Sequence, residues 1–286
     1  MESQHDTSSH KIIIPEDPDL SKNVNVNEKK NEKKIQPRTH ESNKNFIESL
    51  CFCVSKKTDL STIELKIYYT LKEKCAIFYQ DDNVDHIKTL KTFYANFFAK
   101  NLEQNDLINA DWMILGFQDK NPQTDFRGAG LMGLENMVNF LEKEKNILEE
   151  MCESKNHFMF AMISLNFTFF LKTYLHLASF LDYQKDREII CSRKILKKSF
   201  KLLNNEILMG GNESDGFNKF YEILMKFAFF RWKILIQNNK ELNMCEFHYN
   251  LEDVKNTFKE IMENKEINSF HDLSGAFEKI IKEIKA

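Results

Sequence analysis

The sequence predicts an all-α protein with a polar N-terminal tail. Along most of the 286 residues, apolar side chains recur at steps of three and four, the period of a helix with one buried face. No stretch shows the two-residue alternation of a half-buried strand. Hydrophobic residues make up 42% of the chain and phenylalanine occurs 25 times, which is enough for a large aromatic core.

The beginning of the chain differs in composition from the rest. Residues 1–43 contain three of the four prolines and a run rich in Asn, Lys and Glu without apolar periodicity, so we predict a disordered tail. Residues 44–82 are predicted to form N-terminal helices that pack on the domain or lead into it. Cys51 and Cys53 lie beside two lysines there. The pair is compatible with lipid attachment, but two ordinary thiols in a docking helix are the commoner arrangement.

Three amphipathic helices are predicted between residues 60 and 150. The last of them starts near Gly130 and becomes charged from residue 142 onwards. Their apolar stripes have helical spacing and are each about one helix face wide. The stripes are Ile63, Ile67 and Leu71 in a helix over 60–79; Ile87, Leu90, Tyr94, Phe97 and Phe98 over 83–100; and Leu134, Met137, Val138 and Leu141 in the helix after Gly130.

A nearly continuous apolar segment, 158–181, follows these helices. Because it is apolar on every side, we expect it to be the central helix that the others surround. Asn166, Lys172 and His176 interrupt the segment, so burial in the core is favoured over a membrane span.

Four further helices complete the predicted fold. A solvent loop over 210–216 separates the first two. We assign 83–264 to one domain and expect the C-terminal helix to pack on it. The helices cover 188–208, the residues from Phe220 through Trp232, a helix capped by Asn250 that carries Leu251, Val254, Phe258, Ile261 and Met262, and a C-terminal amphipathic helix over 269–286.

Residues that break regular structure concentrate between positions 111 and 140. This segment holds four of the eight glycines, one of the two tryptophans and Pro122, the only proline after residue 37. Such a concentration predicts a shaped, non-repetitive loop held between helices, where functional residues tend to lie.

Composition and motifs argue against several functions. The formal net charge of −3 disfavours nucleic-acid binding through phosphates. The glycines at 128, 130 and 133 have the spacing of a dinucleotide-binding fingerprint, but no strand precedes them. The chain has no Walker A lysine, no HExxH and no GxSxG motif, and its six cysteines lack zinc spacing. We therefore predict no cofactor, no metal site and no catalytic centre of the chain's own.

Arg127 is the charged residue of this segment that needs a physical explanation, since it stands just before a predicted helix. The positive end of a helix dipole disfavours a cation, so the arginine requires an anionic partner. One candidate partner is Asp125 or another carboxylate, in a structural ion pair. The other is a phosphate group of a partner molecule, which a planar guanidinium on a rigid loop suits well. Spacing alone does not decide between them.

The same segment resembles the signature of the ELMO domain, in the form found in ELMO-domain-containing (ELMOD) proteins: W-x-x-x-G-F-Q, then P-x-T-D-F-R-G-x-G-x-L-G-L. A second block over 154–168, with Asn166 and Thr168, is similar to a later block of that family. The resemblance covers about 84–264. Ala129 and Met132 inside the glycine segment, and a lysine-rich stretch over 186–216, depart from the pattern. The matching residues are Trp112, Gly116, Phe117, Gln118, Pro122, Thr124, Asp125, Phe126, Arg127, Gly128, Gly130, Gly133 and Leu134.

The resemblance implies an all-helical domain that is a GTPase-activating protein for Arf-family and Arf-like small GTPases. Arg127 would act as an arginine finger in trans, while Asp125 and Gln118 would orient the loop or touch the GTPase. The chain would regulate an enzyme rather than be one, with no cofactor of its own, because the partner carries GTP and Mg²⁺. The supporting loop would consist of Trp112, Gly116, Phe117, Gln118, Pro122, Asp125, Phe126, Gly128 and Gly130, the aromatic members acting as anchors.

A non-catalytic ELMO-type scaffold in GTPase or cytoskeletal signalling is the alternative. The ELMO proteins that partner DOCK-type exchange factors lack the D-F-R-G arginine and add armadillo repeats and a PH domain, whereas this chain has Arg127 and no room for those domains. We expect a cytoplasmic protein, since no secretory signal is visible, with peripheral membrane contact as a further option.

Overall fold

The computed structural model describes residues 59–102, 107–178, 190–238 and 244–285, and none of these residues forms a β-strand. The all-α prediction is confirmed. The tail predicted for 1–43, together with Cys51 and Cys53, lies outside the described residues. The helices are α1 (Thr62–Cys75), α2 (Val84–Phe98), α3 (Leu131–Met151), α4 (Phe160–Tyr174), α5 (Arg193–Leu208), α6 (Glu213–Asn238), α7 (Met244–Asn264) and α8 (Phe270–Lys285), with short 3₁₀ helices η1 (Ala110–Leu115), η2 (Pro122–Arg127) and η3 (Ser154–Asn156).

The central helix of the fold is α4, as predicted. Twelve of its 15 residues are buried, and it packs against α3 and α6. Its rings of Phe170 and Tyr174 meet Phe258 of α7 at centroid distances of 5.8 and 5.4 Å. The helix ends earlier than predicted because the amide of Leu177 turns back to the Lys172 carbonyl at 2.8 Å. No helix among the described residues is long and apolar enough to cross a bilayer.

A chain of buried polar groups joins α3, α4 and α6. The Asn136 side-chain amide of α3 donates to the Thr168 hydroxyl at 2.7 Å, and that hydroxyl donates to the Ser164 carbonyl at 3.0 Å. From α6, the Tyr221 hydroxyl donates to the Ser164 side chain at 2.6 Å. Because buried polar groups are costly when unpaired, these bonds favour one register of the three helices.

The apolar stripe predicted for α1 is partly wrong. Ile67 and Leu71 are buried, but Ile63 is 58% exposed. The helix begins with a capping box in which the Ser61 amide donates to the Glu64 carboxylate at 2.7 Å and the Glu64 amide donates back to the Ser61 hydroxyl at 3.3 Å. Glu64 thus occupies a buried position of the first turn, and the isoleucine beside it faces solvent.

The solvent loop predicted over 210–216 is too long, because α6 already begins inside this range. Asn212 ends the loop by accepting the Ser214 amide at 2.8 Å. Gly216 is buried in the helix, where a Cβ atom would lie 2.6 Å from a methyl carbon of Leu203. The third glycine of this range therefore serves close packing of α6 on α5 and does not mark a loop.

The helix cap predicted at Asn250 is also wrong. Asn250 is a buried residue within α7, where its side-chain oxygen accepts from the Arg231 guanidinium at 2.8 Å. Its side-chain nitrogen donates to the Ala228 carbonyl at 3.3 Å. The side chain thus bonds to α6, a tertiary role that the sequence of α7 alone does not reveal.

The C-terminal helix α8 packs on the domain, as predicted. Phe277 meets Phe227 of α6 at a centroid distance of 4.4 Å, and Phe270 meets Phe220 at 4.8 Å. The outer end of the predicted seam is open, since Ile284 is 42% exposed.

Candidate functional site

Residues 107–130, ahead of α3, contain the two 3₁₀ helices η1 and η2, and asparagines cap both. The Asn109 side chain accepts the Asp111 amide at 2.9 Å, and the Asn121 side chain accepts the Gln123 amide at 3.2 Å. The Asn109 amide donates to the Lys120 carbonyl at 3.0 Å, which closes the loop between the two helices. The breaker-rich segment is therefore a defined structure.

Aromatic side chains anchor this segment in the core. Trp112, Phe117 and Phe126 are all buried. Phe117 lies between the other two, with ring centroids 5.4 Å from Trp112 and 5.9 Å from Phe126. Phe126 stacks on Tyr79 at 4.8 Å, and the Trp112 ring nitrogen donates to the Leu107 carbonyl at 2.9 Å. Because the three rings are buried, they fix the loop in the core and offer little surface for a partner protein to contact.

Asp111 ties η1 to Tyr94 of α2 and to Lys100, which follows that helix. The Asp111 carboxylate accepts the Tyr94 hydroxyl at 2.5 Å and lies 2.5 Å from the Lys100 ammonium. Hydrogen bonds from Lys100 and then Tyr94 hold the pKa of Asp111 below its usual value. The loop is thus fixed at its start by polar as well as aromatic contacts.

Two glycines let the loop approach its neighbours closely. Gly116 has φ +83°, and a Cβ atom there would lie 2.6 Å from the Cα of Met159, just before α4. Gly130 has φ +69°, and its Cβ atom would lie 2.6 Å from the carbonyl oxygen of Ile77. Since both the torsion and the space exclude a side chain, these positions require glycine. Gly128 differs, because its backbone is right-handed and a Cβ atom would make an ordinary 3.6 Å contact with Phe169.

Lys172 supports the loop through hydrogen bonds to its backbone. This residue of α4 is 5% exposed, and its ammonium donates to the Ala129 carbonyl at 3.1 Å and to the Gly128 carbonyl at 3.5 Å. In the sequence it was only a polar interruption of an apolar helix. A lysine within an apolar helix is the sequence signal that could have revealed this role, because a buried charge needs several hydrogen-bond partners.

Asp125 holds η1 and η2 together. Its carboxylate accepts the backbone amide of Gln118 at 2.9 Å and the Thr124 hydroxyl at 3.3 Å. It forms no ion pair with Arg127, so the candidate structural ion pair between these two residues is wrong. Asp125 orients the loop, while the Gln118 side chain is exposed.

Arg127 is the exposed last residue of η2, just ahead of α3. Within the described part of the chain, its guanidinium has no hydrogen bond, ion pair or aromatic contact. The contacts described above fix the neighbouring residues, so the unpaired guanidinium of Arg127 projects from a rigid loop. In the same part of the chain, no cluster of three or more His, Cys, Asp or Glu side chains could hold a metal ion.

The loop lies within a stretch of sequence that matches a known family. Residues 69–270 match the sequence profile of the ELMO/CED-12 family. The chain belongs to the ELMO/CED-12 family. The match begins within α1 and ends at the first residue of α8, so the ELMO/CED-12 homology includes all of η1, η2 and the helices that support them.

Several ELMO-domain proteins are similar to this chain. Human ELMO domain-containing protein 2 is 28% identical over 141 residues, which is 48% of this chain and 45% of the human protein. ELMO domain-containing protein B of Dictyostelium discoideum is 28% identical over 102 residues, 35% of this chain and 36% of its own. Human ELMO domain-containing protein 1 is 33% identical over 79 residues, 28% of this chain and 23% of its own. The alignments thus span less than half of each relative, and no solved structure matches the chain.

Proposed function

We propose that this protein is a GTPase-activating protein for an Arf-family or Arf-like small GTPase, and that it acts in the cytoplasm. Arg127 is the arginine finger, inserted into the GTPase in trans. The observation that carries the proposal is the exposed guanidinium, free of partners among the described residues, on a loop that is otherwise fixed. Membership of the ELMO/CED-12 family supports it, because the D-F-R-G segment lies within the residues that match that family.

The chemistry needs a cation that arrives already oriented. When a GTPase hydrolyses GTP, negative charge builds up on the oxygens of the transferred phosphoryl group, and an inserted arginine that stabilises this charge raises the rate by ~10³ to 10⁵. The GTPase provides GTP and Mg²⁺. This chain provides Arg127 and the contacts that hold the backbone on both sides of it.

Three contacts supply that orientation. On the N-terminal side, Phe126 is buried and Asp125 binds the Gln118 amide. On the C-terminal side, Lys172 binds the Gly128 and Ala129 carbonyls. Because the backbone is fixed on both sides, the ordering entropy that remains to be lost when the guanidinium meets the phosphate is mainly that of the Arg127 side chain.

The experiment is single-turnover GTP hydrolysis by a panel of purified Arf and Arf-like GTPases, with wild-type protein, Arg127→Ala, Arg127→Lys and a control. Lys88→Ala is the control, because Lys88 of α2 is also an exposed cation and has no ion pair among the described residues. We expect acceleration by wild type and by the control, and none by either Arg127 variant, since lysine lacks the planar, bidentate geometry.

Two results would contradict the proposal. Equal acceleration by wild type and Arg127→Ala, with both proteins folded by circular dichroism, would remove Arg127 from the mechanism. No acceleration of any GTPase would favour the scaffold, and nucleotide-independent binding to an exchange factor would then support it.

A further inference from the structure

The helix α5 has two faces of opposite character. Its exposed residues Arg193, Lys194, Lys197 and Lys201 fall on one side of the helix. Opposite them lies an apolar face that packs against α1 and α6. This buried face consists of Ile195, Leu196, Ser199, Phe200, Leu202 and Leu203. In a chain with a net charge of −3, a helix with five basic residues and one acidic residue concentrates positive charge on a single surface.

The cations of this surface outnumber the acidic residues beside them: four lysines of α5 and Lys265 line one cleft with three glutamates. None of the four exposed basic side chains forms an ion pair within the described residues. The one acidic residue of α5, Glu206, is bound by Lys219 of α6 at 2.7 Å. The first turn of α5 has no acidic residue, and Ser192 makes no capping hydrogen bond. The helix dipole therefore adds to the positive potential at this end.

The same face ends in exposed apolar side chains. Leu208 is 75% exposed and Met209 is 77% exposed. At about 3.6 residues per turn, Leu208 projects in a direction between those of Lys197 and Lys201. Large apolar side chains in line with a row of cations are the pattern of a helix that lies on a membrane surface, where cations meet headgroups and apolar groups enter the interface.

An open cleft of about 540 Å³ runs along the basic face, and Lys194, Lys197 and Lys201 line it together with three glutamates. Lys198 forms its floor by donating to the carbonyl of Met262 at 2.8 Å. Partial burial, followed by repulsion from Lys194, lowers the pKa of Lys198. An anionic headgroup that enters the cleft would relieve this repulsion.

We propose that the outer face of α5 binds the surface of an anionic lipid bilayer, with Arg193, Lys194, Lys197 and Lys201 at the headgroups and Leu208 and Met209 in the interface. A bilayer fits better than an acidic protein or a nucleic acid because Leu208 continues the row of cations and Met209, the next residue, is also exposed. The inference is independent of the proposed action on a GTPase.

The test is co-sedimentation of the full chain with vesicles of phosphatidylcholine alone or with a two-to-one mixture of phosphatidylcholine and phosphatidylserine. The variants are the triple change Lys194→Ala, Lys197→Ala, Lys201→Ala and the double change Leu208→Ser, Met209→Ser. A matched control, Lys88→Ala, Lys143→Ala, Lys282→Ala, removes the same charge from exposed positions of α2, α3 and α8. Circular dichroism and the unfolding midpoint verify that each variant is folded.

We expect wild type to bind only the anionic vesicles, with an affinity that falls as salt rises. The α5 triple variant should lose about 100-fold in partitioning, since each lysine at an anionic surface contributes a factor of about five. The double variant should bind more weakly than wild type, the control should lose far less than the α5 triple variant, and soluble phosphoserine should not displace the protein. Equal loss in the two triple variants, equal binding to neutral vesicles, or capture of an acidic protein without vesicle binding would overturn the inference.

Discussion

Replacing Gly116 by alanine should destabilise the fold far more than the same change at Gly128. Both glycines lie in the loop that carries Arg127, and in the sequence they look equivalent. In the structure, Gly116 has φ +83° and a Cβ atom there would lie 2.6 Å from the Cα of Met159, whereas a Cβ at Gly128 would lie 3.6 Å from the nearest atom of Phe169. Only the first position requires glycine.

The magnitude follows from two terms. A left-handed backbone conformation costs an alanine about 1–2 kcal/mol relative to glycine. The Cβ atom would also overlap backbone atoms, which cannot rotate away as a side chain does, and overpacking of this kind costs about 1–3 kcal/mol. Gly116→Ala should therefore lower the free energy of unfolding by about 2–5 kcal/mol. Gly128→Ala should change it little, or raise it by up to about 1 kcal/mol, because alanine restricts the unfolded chain.

Guanidinium unfolding followed by tryptophan fluorescence measures both values, since Trp112 is buried in the same loop. Circular dichroism in parallel tests whether the transition is two-state. The reasoning is refuted if Gly128→Ala costs as much as Gly116→Ala, or if Gly116→Ala stays within about 0.5 kcal/mol of wild type, the range of ordinary surface substitutions.

Two further predictions concern the supports of the loop. Lys172→Met removes the donor to the Gly128 and Ala129 carbonyls, so amide hydrogen exchange at residues 128–131 should accelerate and the free energy of unfolding should fall by about 1–3 kcal/mol. Lys88→Met, at an exposed site on α2, is the control. Unchanged exchange in Lys172→Met would contradict the role of Lys172. The pKa of Asp111 is lowered from 3.8, so its stabilisation is complete above that pH and is lost as pH falls through the folded-state pKa. Asp111→Asn should therefore destabilise at neutral pH, with a difference from wild type that shrinks in acid; a pH-independent difference in urea unfolding would argue against the ion pair.

The sequence predicted features that depend on neighbours along the chain. Helical periodicity identified α4 as the central helix and placed the start of α3 next to Gly130, where Leu131 is its first residue. The apolar seam of α8 also predicted correctly that this helix packs on the domain. These features follow from local spacing, because an apolar face must be buried against something.

Features that depend on contacts distant in sequence could not be predicted in this way. Asn250 looked like a helix cap because asparagine favours caps, but its partners lie on α6. The pair proposed between Asp125 and Arg127 does not form; the Asp125 carboxylate instead accepts hydrogen bonds from the Gln118 amide, seven residues earlier, and from the Thr124 hydroxyl. The spacing of the sequence drew attention to Arg127, but only the fold showed that the nearby Asp125 carboxylate binds other residues.

The two blocks of sequence that resemble the ELMO signature, 112–134 and 154–168, form one physical unit. Gly116 lies against the backbone at Met159, and a Cβ atom at Gly133 would lie 2.8 Å from a methyl carbon of Leu165. Asn136, just after the first block, bonds to Thr168 in the second. The helix α4, from its start to Thr168, is therefore the surface against which the loop packs, and a change of shape there should move Arg127 without contacting it. This arrangement explains why a rigid, buried helix is part of a site whose exposed guanidinium lies on the loop.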